Sequence, residues 1–499
     1  MRKDPPSLSL HPMKGEDGFS PVRGGPAHDV GWKFSLAVAL IAARAKSLSG
    51  FGIALWVGLN AIAGDLTGDD WPQFLGPHDN GTSGETGLMD RWPTNGVPIP
   101  WTKEIGTGYG APSVRGDRLV LHHRIGNEEI VECFEAGTGK SLWRHGYPSQ
   151  FVDPYGYNNG PRGTPLLTAD RCYTLGAEGQ LLCLELQTGK LIWQRDTAKD
   201  WEVPPAFFGV GSSPILEGDS LLVMVGGQPN AGVVAFDAKT GTTVWENVGE
   251  KNWQGVAMTG WPGEPKVLWK RWDKQASYST PVAATVGGRR QVFCLMRQGL
   301  VSLNPNNGTV NGSFWFRSRI EESVNAMNPI IVEDLIFISG AYYRIGSVLL
   351  RVQPDNHGFD EVWRSTVLEL HWNTPIHHEG YLYAFSGRNE PDARFRCVEL
   401  KTGKLMWDRD ESWPAHGGHS IPQPNVYGRG SAILADGRLI VLGEGGLLGL
   451  FKVNPQKPEE LSRWQVPQLH FPCWAAPVLS RKRLYLRSED RLVCLHIAR

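Results

Sequence analysis

The residues that invite a chemical reading are few and scattered. His371, His377 and His378 cluster within eight positions, and His416-Gly-Gly-His419 follows. A metal site needs three or four converging ligands, and this spacing does not supply convergence, so these read as ordinary loop histidines. Gly443-Glu-Gly-Gly446 follows an apolar stretch, but no helix pattern comes after it to make a phosphate cradle. The seven cysteines are Cys133, Cys172, Cys183, Cys294, Cys397, Cys473 and Cys494, with no adjacent pair and no C-x-x-C. There is no G-x-S-x-G, no serine or cysteine triad, and no kinase H-R-D or D-F-G. No catalytic residue and no metal ligand is assigned.

Composition narrows the classes further. Of 499 residues, 50 are Lys or Arg and 51 are Asp or Glu, a net charge of -1 that carries no broad footprint for nucleic acid. Gly 60, Pro 35 and Trp 20 point to many turns and to a repeated job for tryptophan, and exclude coiled coil, helix bundle and collagen.

The elements that must position any site are repeats. Cys133-Phe-Glu-Ala-Gly-Thr-Gly-Lys-Ser-Leu-Trp143 returns at Cys183–Trp193, Ala235–Trp245 and Cys397–Trp407, each with T-G-x-x-x-W in one register. An alternating strand, a Thr-Gly turn and a second strand ending in a large aromatic form a hairpin. The other half of the unit opens on a small residue plus Pro: Ala111-Pro112, Thr164-Pro165, Ser213-Pro214, Thr280-Pro281, Asn328-Pro329, Thr374-Pro375 and Ala476-Pro477, with a copy lacking Pro near Ser431. Those are eight starts. The closing tryptophans are Trp143, Trp193, Trp245, Trp315, Trp363, Trp407 and Trp464.

Trp101 is left at the front, and the last unit has three strands. A strand at Ile99–Ile105 completes it, which is how a ring of blades closes without a free edge. The expectation is all-β: an eight-bladed β-propeller of four-stranded antiparallel blades over 99–499. A leader occupies 1–63 and an N-terminal extension 64–98. Most of the Trp, Gly and Thr-Gly positions are then structural, and Cys133, Cys183, Cys397 and Cys494 share one small core slot with Ala235 and Ser302.

At these residues the chain resembles the pyrroloquinoline-quinone (PQQ) repeat family. Its A-x-D-x-x-T-G-x-x-x-W pattern is met in full by Ala235-Phe-Asp237-Ala-Lys-Thr240-Gly241-Thr-Thr-Val-Trp245. Quinoprotein alcohol dehydrogenases, BamB-like assembly factors and sensor propellers attached to serine/threonine kinases belong to it. Trp71-Pro-Gln-Phe-Leu-Gly76-Pro ahead of such repeats is similar to a group of exported planctomycete-type proteins. The resemblance covers about 70–499, and the fourth unit departs from it by a longer path from Asn306-Asn-Gly308 to Trp315.

The resemblance implies three functions. One is an exported, non-catalytic binding or scaffold propeller that uses one face of the ring, with no cofactor. Another is an alcohol or sugar dehydrogenase holding PQQ with Ca²⁺; such enzymes typically carry an adjacent Cys-Cys pair and a C-x-x-C-H haem site, and this chain has neither. The third is a sensor-type propeller without kinase activity. The first is the preferred expectation.

Topology then picks the site. Connectors entering each first strand emerge on one face with those between second and third strands. The expected rim is Arg162, Ser212, Tyr278, Asn325, Trp372, Arg429 and Trp474, joined by Glu178, Gln298, Arg388, Glu444 and Arg487. Arg162, Arg388, Arg429 and Arg487 at one opening favour an anionic small molecule, an acidic glycan or a protein segment. Pairing with Glu178 or Glu444 would instead leave no net field.

Before the repeats, Arg44 and Lys46, the apolar Phe51–Leu59 and Ala61-Ile62-Ala63 have the form of a secretory signal cleaved after Ala63. The expected location is periplasmic or extracellular, as a monomer, with membrane contact only if the leader is retained.

Overall fold

The computed structural model describes residues 68–201, 203, 208–227, 230–253, 258–259, 267–268, 278–318, 323–388, 392–412 and 425–499. The leader and His416 and His419 lie outside them. Among the described residues no helix is long and apolar enough to cross a membrane.

Eight four-stranded antiparallel sheets follow one another, each a simple meander, and the last has the order Trp101–Glu104, Arg491–His496, Arg483–Arg487, Val478–Ser480. Trp101 faces Cys494 and Glu104 faces Arg491, so the N-terminal strand closes the ring as its sequence requires. A two-stranded ribbon, Met258–Thr259 with Val267–Leu268, is additional.

The tryptophan repeat works between neighbouring blades. Trp193 faces Cys183 across its own hairpin, and its indole N–H donates to Ala238 O of the next blade (3.1 Å). Its ring lies against Gly241, which has φ +73 and would place a Cβ 2.6 Å from the indole, so only glycine fits. Trp101, Trp143, Trp245, Trp363 and Trp407 likewise donate to the carbonyls of Ala136, Leu186, Pro305, Leu400 and Asn454. Asp237 of the motif accepts from the N–H and O–H of Thr240 and fixes the turn.

Two tryptophans sit elsewhere in register. In the fourth blade Gly312 faces Ser302, in the position Trp occupies in the other blades, and Trp315 lies three residues on, opposite Gly299. A Cβ at Gly312 would meet Gly358 of the fifth blade at 2.9 Å, so the neighbouring turn has moved into the vacated space. In the seventh, Ser462 faces Leu450 while Trp464 pairs with Leu448. The N-terminal extension covers this region: Ser462 Oγ accepts from the N–H of Trp92, which is buried. All seven cysteines are buried and free.

The small-Pro starts also have a physical role. Ala111 N–H donates to Thr164 Oγ1, Thr164 N–H to Ser213 Oγ, Ser213 N–H to Thr280 Oγ1, Thr280 N–H to Asn328 Oδ1, and Asn328 N–H to Thr374 Oγ1, all at 2.8–3.2 Å. The first strands of blades one to six are therefore tied in succession around the central channel by the side chain before each proline. The proline holds that residue in the extended region.

The extension 68–98 closes one end of the channel. Trp71 exchanges both backbone bonds with Val114, Pro72 O accepts from Leu167, and Gly81 and Ser83 bond Leu434. These partners lie on first strands of blades one, two and seven, at the end carrying the first-to-second turns. Gly76, with φ +80, lets Trp71 pack beneath the turn. Phe74 and Leu75 thereby become the floor of the channel.

Candidate functional site

Above that floor is a cavity of about 210 Å³. Its wall obeys a simple rule. Side chains of an extended segment alternate faces, so the residue two places before each start shares the channel-facing side of the start itself. Those residues are Tyr109, Arg162, Gly211, Tyr278, Ala326, Trp372, Arg429 and Trp474, and all eight line the cavity.

Five of the expected rim residues are therefore placed on the wall: Arg162, Tyr278, Trp372, Arg429 and Trp474. Ser212 and Asn325 are one position out of phase and turn into the protein; Ser212 is fully buried, and Asn325 donates to Met296 O and Phe316 O. Their neighbours Gly211 and Ala326 take the wall positions. Tyr109, two residues before the first start Ala111-Pro112, completes the set by the same spacing.

None of the five residues expected from the second-to-third connectors lines the cavity; the connector that does contribute is that of the fifth blade, between Leu335–Gly340 and Gly346–Val352, through Tyr342. Glu178 is exposed and accepts from Ser149 Oγ and Gln150 N–H. Gln298 is buried, with its carbonyl bonded by Phe316 N–H. Arg388 lies 4.6 Å from the Tyr342 ring centre and 4.8 Å from that of Tyr343. Arg487 is buried and donates to the carbonyls of Gly106, Gly110 and Ser488.

The arginines do not form a common positive opening. Arg162 is bound to Asp153 (2.6 Å) and to the carbonyls of Gly160 and Asn158. Asp153 and Glu444, the carboxylates behind the wall, are both fully buried. Glu444 receives the Arg429 N–H, its guanidinium (3.1 Å) and the indole N–H of Trp474 (2.8 Å). Burial raises the Glu444 carboxyl above its ordinary range, and the neighbouring Arg429 charge opposes that rise. Each wall cation thus has its own buried carboxylate.

Aromatic rings dominate what remains. Consecutive centroids run Tyr278–Phe208 (5.6 Å), Phe208–Tyr157 (5.9 Å), Tyr157–Trp474 (5.8 Å), Trp474–Trp372 (5.2 Å), Trp372–His371 (4.9 Å) and His371–Tyr342 (5.2 Å). The Arg429 guanidinium stacks 4.5 Å from Trp372, clamping this collar from behind. Tyr157 and Phe208 come from irregular connectors between blades and Tyr342 from the second-to-third connector of the fifth blade, so no shared spacing marks them.

His371 is the one clustered histidine that reaches the cavity, whereas His377 and His378 lie on the adjoining first strand Ile376–His378. Burial and the charges of Arg429 and Arg388 hold His371 well below the usual histidine range, so it is neutral. Its Nδ1 is 3.3 Å from Arg429 Nη1 and its Nε2 is 3.2 Å from Tyr342 Oη. A guanidinium only donates, so Nδ1 accepts, the proton sits on Nε2, and Tyr342 oxygen accepts it. The Tyr342 O–H hydrogen is left for another acceptor. Among the described residues no group of three or more His, Cys, Asp or Glu side chains is placed to hold a metal ion.

Comparison with known proteins agrees with the architecture. Among curated proteins, none matches the sequence. In structure the chain is similar to BamB from Moraxella catarrhalis, with 14% identity, TM-score 0.52 and coverage of 80% of this chain and 98% of that one. It is also similar to the quinohemoprotein alcohol dehydrogenase from Comamonas testosteroni, with 13% identity, TM-score 0.58 and coverage of 85% and 80%. At such identities the likeness is one of fold. The family model described as outer membrane protein assembly factor BamB matches residues 126–409, more than half of the chain, and with its eight repeat blades the protein belongs to this PQQ-repeat, BamB-like family.

Proposed function

We propose that the protein is an exported, non-catalytic binding propeller that takes its partner at the aromatic mouth of the channel. The observation that carries this reading is the commitment of the wall's charged groups. Glu444 and Asp153 are spent on Arg429 and Arg162, leaving neither carboxylate to bind a divalent cation or to abstract a proton. The side chains on the described wall therefore do not fit a quinone with its Ca²⁺. The chain also lacks the adjacent cysteine pair and haem motif of the dehydrogenase reading. What the wall offers is rigid aromatic area with a few oriented hydroxyls, which suits recognition. The family's description as an assembly factor supports a binding role, and a protein partner is compatible with the exposed Val152, Tyr155 and Tyr157 beside the mouth.

The test is reconstitution of the purified protein with PQQ and Ca²⁺, followed by dye reduction with a panel of alcohols and sugars. No quinone-dependent turnover is expected. Turnover at stoichiometric quinone would replace this reading with the dehydrogenase one.

A further inference from the structure

We infer that the collar is a binding site for the terminal ring of a neutral saccharide. This inference rests on the proposal that the mouth is a binding site, and it specifies the ligand chemistry.

Charge comes first. Arg162 and Arg429 are each neutralised by a buried carboxylate, so an anion entering the cavity meets no uncompensated cation on these walls. An acidic ligand would lose its hydration without a matching gain. The shape of the wall comes next. Trp474, Trp372, Tyr157 and Tyr278 present ring surface around a space of about 210 Å³, smaller than the roughly 300–1,000 Å³ usual for drug-sized ligands. One pyranose or furanose ring is of the right scale, and its axial C–H face is apolar enough to lie on an indole or phenol.

Hydroxyl chemistry separates a sugar from a plain hydrophobe. The Arg429–His371–Tyr342 chain fixes Tyr342 as an acceptor from His371, so its own O–H points elsewhere. Tyr278 Oη accepts from Phe208 N–H (2.9 Å), leaving its O–H likewise able to donate. Both tyrosines line the cavity, one on each flank of the aromatic arc. An apolar ligand would strand both donors, whereas sugar hydroxyl oxygens accept them.

The closed end adds direction. Phe74 and Leu75 stop the channel, so a polysaccharide cannot thread through it and only a chain end can enter. Beyond the mouth, Tyr157 and Tyr155 are 53% and 54% exposed and offer a surface for the next ring.

The experiment is titration of the full-length mature protein, followed by calorimetry and by tryptophan fluorescence. The probes are glucose, galactose, mannose, xylose, cellobiose and maltose, with galacturonate and a phenylalanyl-tyrosine dipeptide as the charged and peptidic comparisons. Saturable binding of at least one neutral sugar is expected, tighter for its disaccharide. Tyr342→Phe and Tyr278→Phe, which keep the ring and the fold, should each weaken it about tenfold by loss of one hydrogen bond. Trp372→Ala should abolish it. The inference is overturned if no neutral sugar in the panel binds saturably, if both phenylalanine variants bind as tightly as the native protein, or if galacturonate or the dipeptide binds more tightly than every neutral sugar. Galacturonate or dipeptide binding that is lost in Trp372→Ala would overturn the saccharide assignment and leave the mouth as a binding site. Quinone-dependent turnover would instead overturn the binding reading itself.

Discussion

If the tryptophan repeat glues blades through a fixed register, Trp193 and Trp315 must differ sharply when truncated to alanine. Trp193 is 9% exposed, lies against the backbone of Gly241 and donates to Ala238 O. Its removal leaves a hole whose far wall is a glycine turn at positive φ, with no side chain to move in. Ala238 O keeps the O–H of Tyr173 at 3.0 Å, so no carbonyl is stranded and the loss is one of packing. A buried tryptophan truncated under those conditions costs about 3–5 kcal/mol. Trp315 is only half-buried, three residues past the inter-blade position, and packs edge-on to Trp253 at 6.1 Å. Gly312 and the turn at Gly358 already fill the inter-blade space, so Trp315→Ala should cost less, about 1–2 kcal/mol. Urea unfolding followed by far-UV circular dichroism measures both without relying on the deleted fluorophore. Equal losses for the two variants, or a larger loss for Trp315→Ala, would refute the register argument.

Two further outcomes follow from the N-terminal region. Asp79, half-buried in the segment that floors the channel, has its carboxyl pushed by burial from 3.8 to about 7, with Glu217 adding to the rise and Arg290 opposing it. A raised acid favours the folded state when protonated, so its contribution is complete below about pH 4 and is lost as the pH climbs through 7. Native protein should therefore lose stability between about pH 4 and pH 7 relative to Asp79→Asn in parallel denaturation series, and matching profiles would contradict this. For export, peptide mapping of the native protein should place the mature N-terminus at Gly64, and recovery of peptides from 30–60 in the mature protein would refute cleavage after Ala63.

Blade number and meander order were legible in the sequence because they rest on neighbours in the chain, and ring closure because the three-strand last unit and the spare Trp101 strand complete each other. A Thr-Gly turn sets its hairpin within a dozen residues, and eight small-Pro starts set eight first strands. The same periodicity located five wall residues. It missed the wall at Ser212 and Asn325 because one residue of phase reverses a side chain in an extended segment. Gly211 and Ala326, the true wall positions, have little side chain to announce them.

The floor and the electrostatics were decided only by the tertiary structure. Trp71 reaches Val114, and Ser83 reaches Leu434, across separations that no repeat pattern encodes. Tyr157, Phe208 and Tyr342 join the collar from irregular connectors, so the aromatic character of the mouth was not visible as a spacing. The four arginines read from topology as one positive opening, yet three are spent locally and Arg388 stacks on Tyr342 and Tyr343 outside the wall. Asp153 holds Arg162 and Glu444 holds Arg429, while Arg487 is consumed by backbone carbonyls. Sequence alone determined which strands neighbour which, since within a blade alternation and turns act over a few residues and the repeat count leaves one strand at each end to pair. Whether a charge at the channel faces a ligand or a buried carboxylate depends on side-chain direction and three-dimensional distance, and only the folded ring settles those.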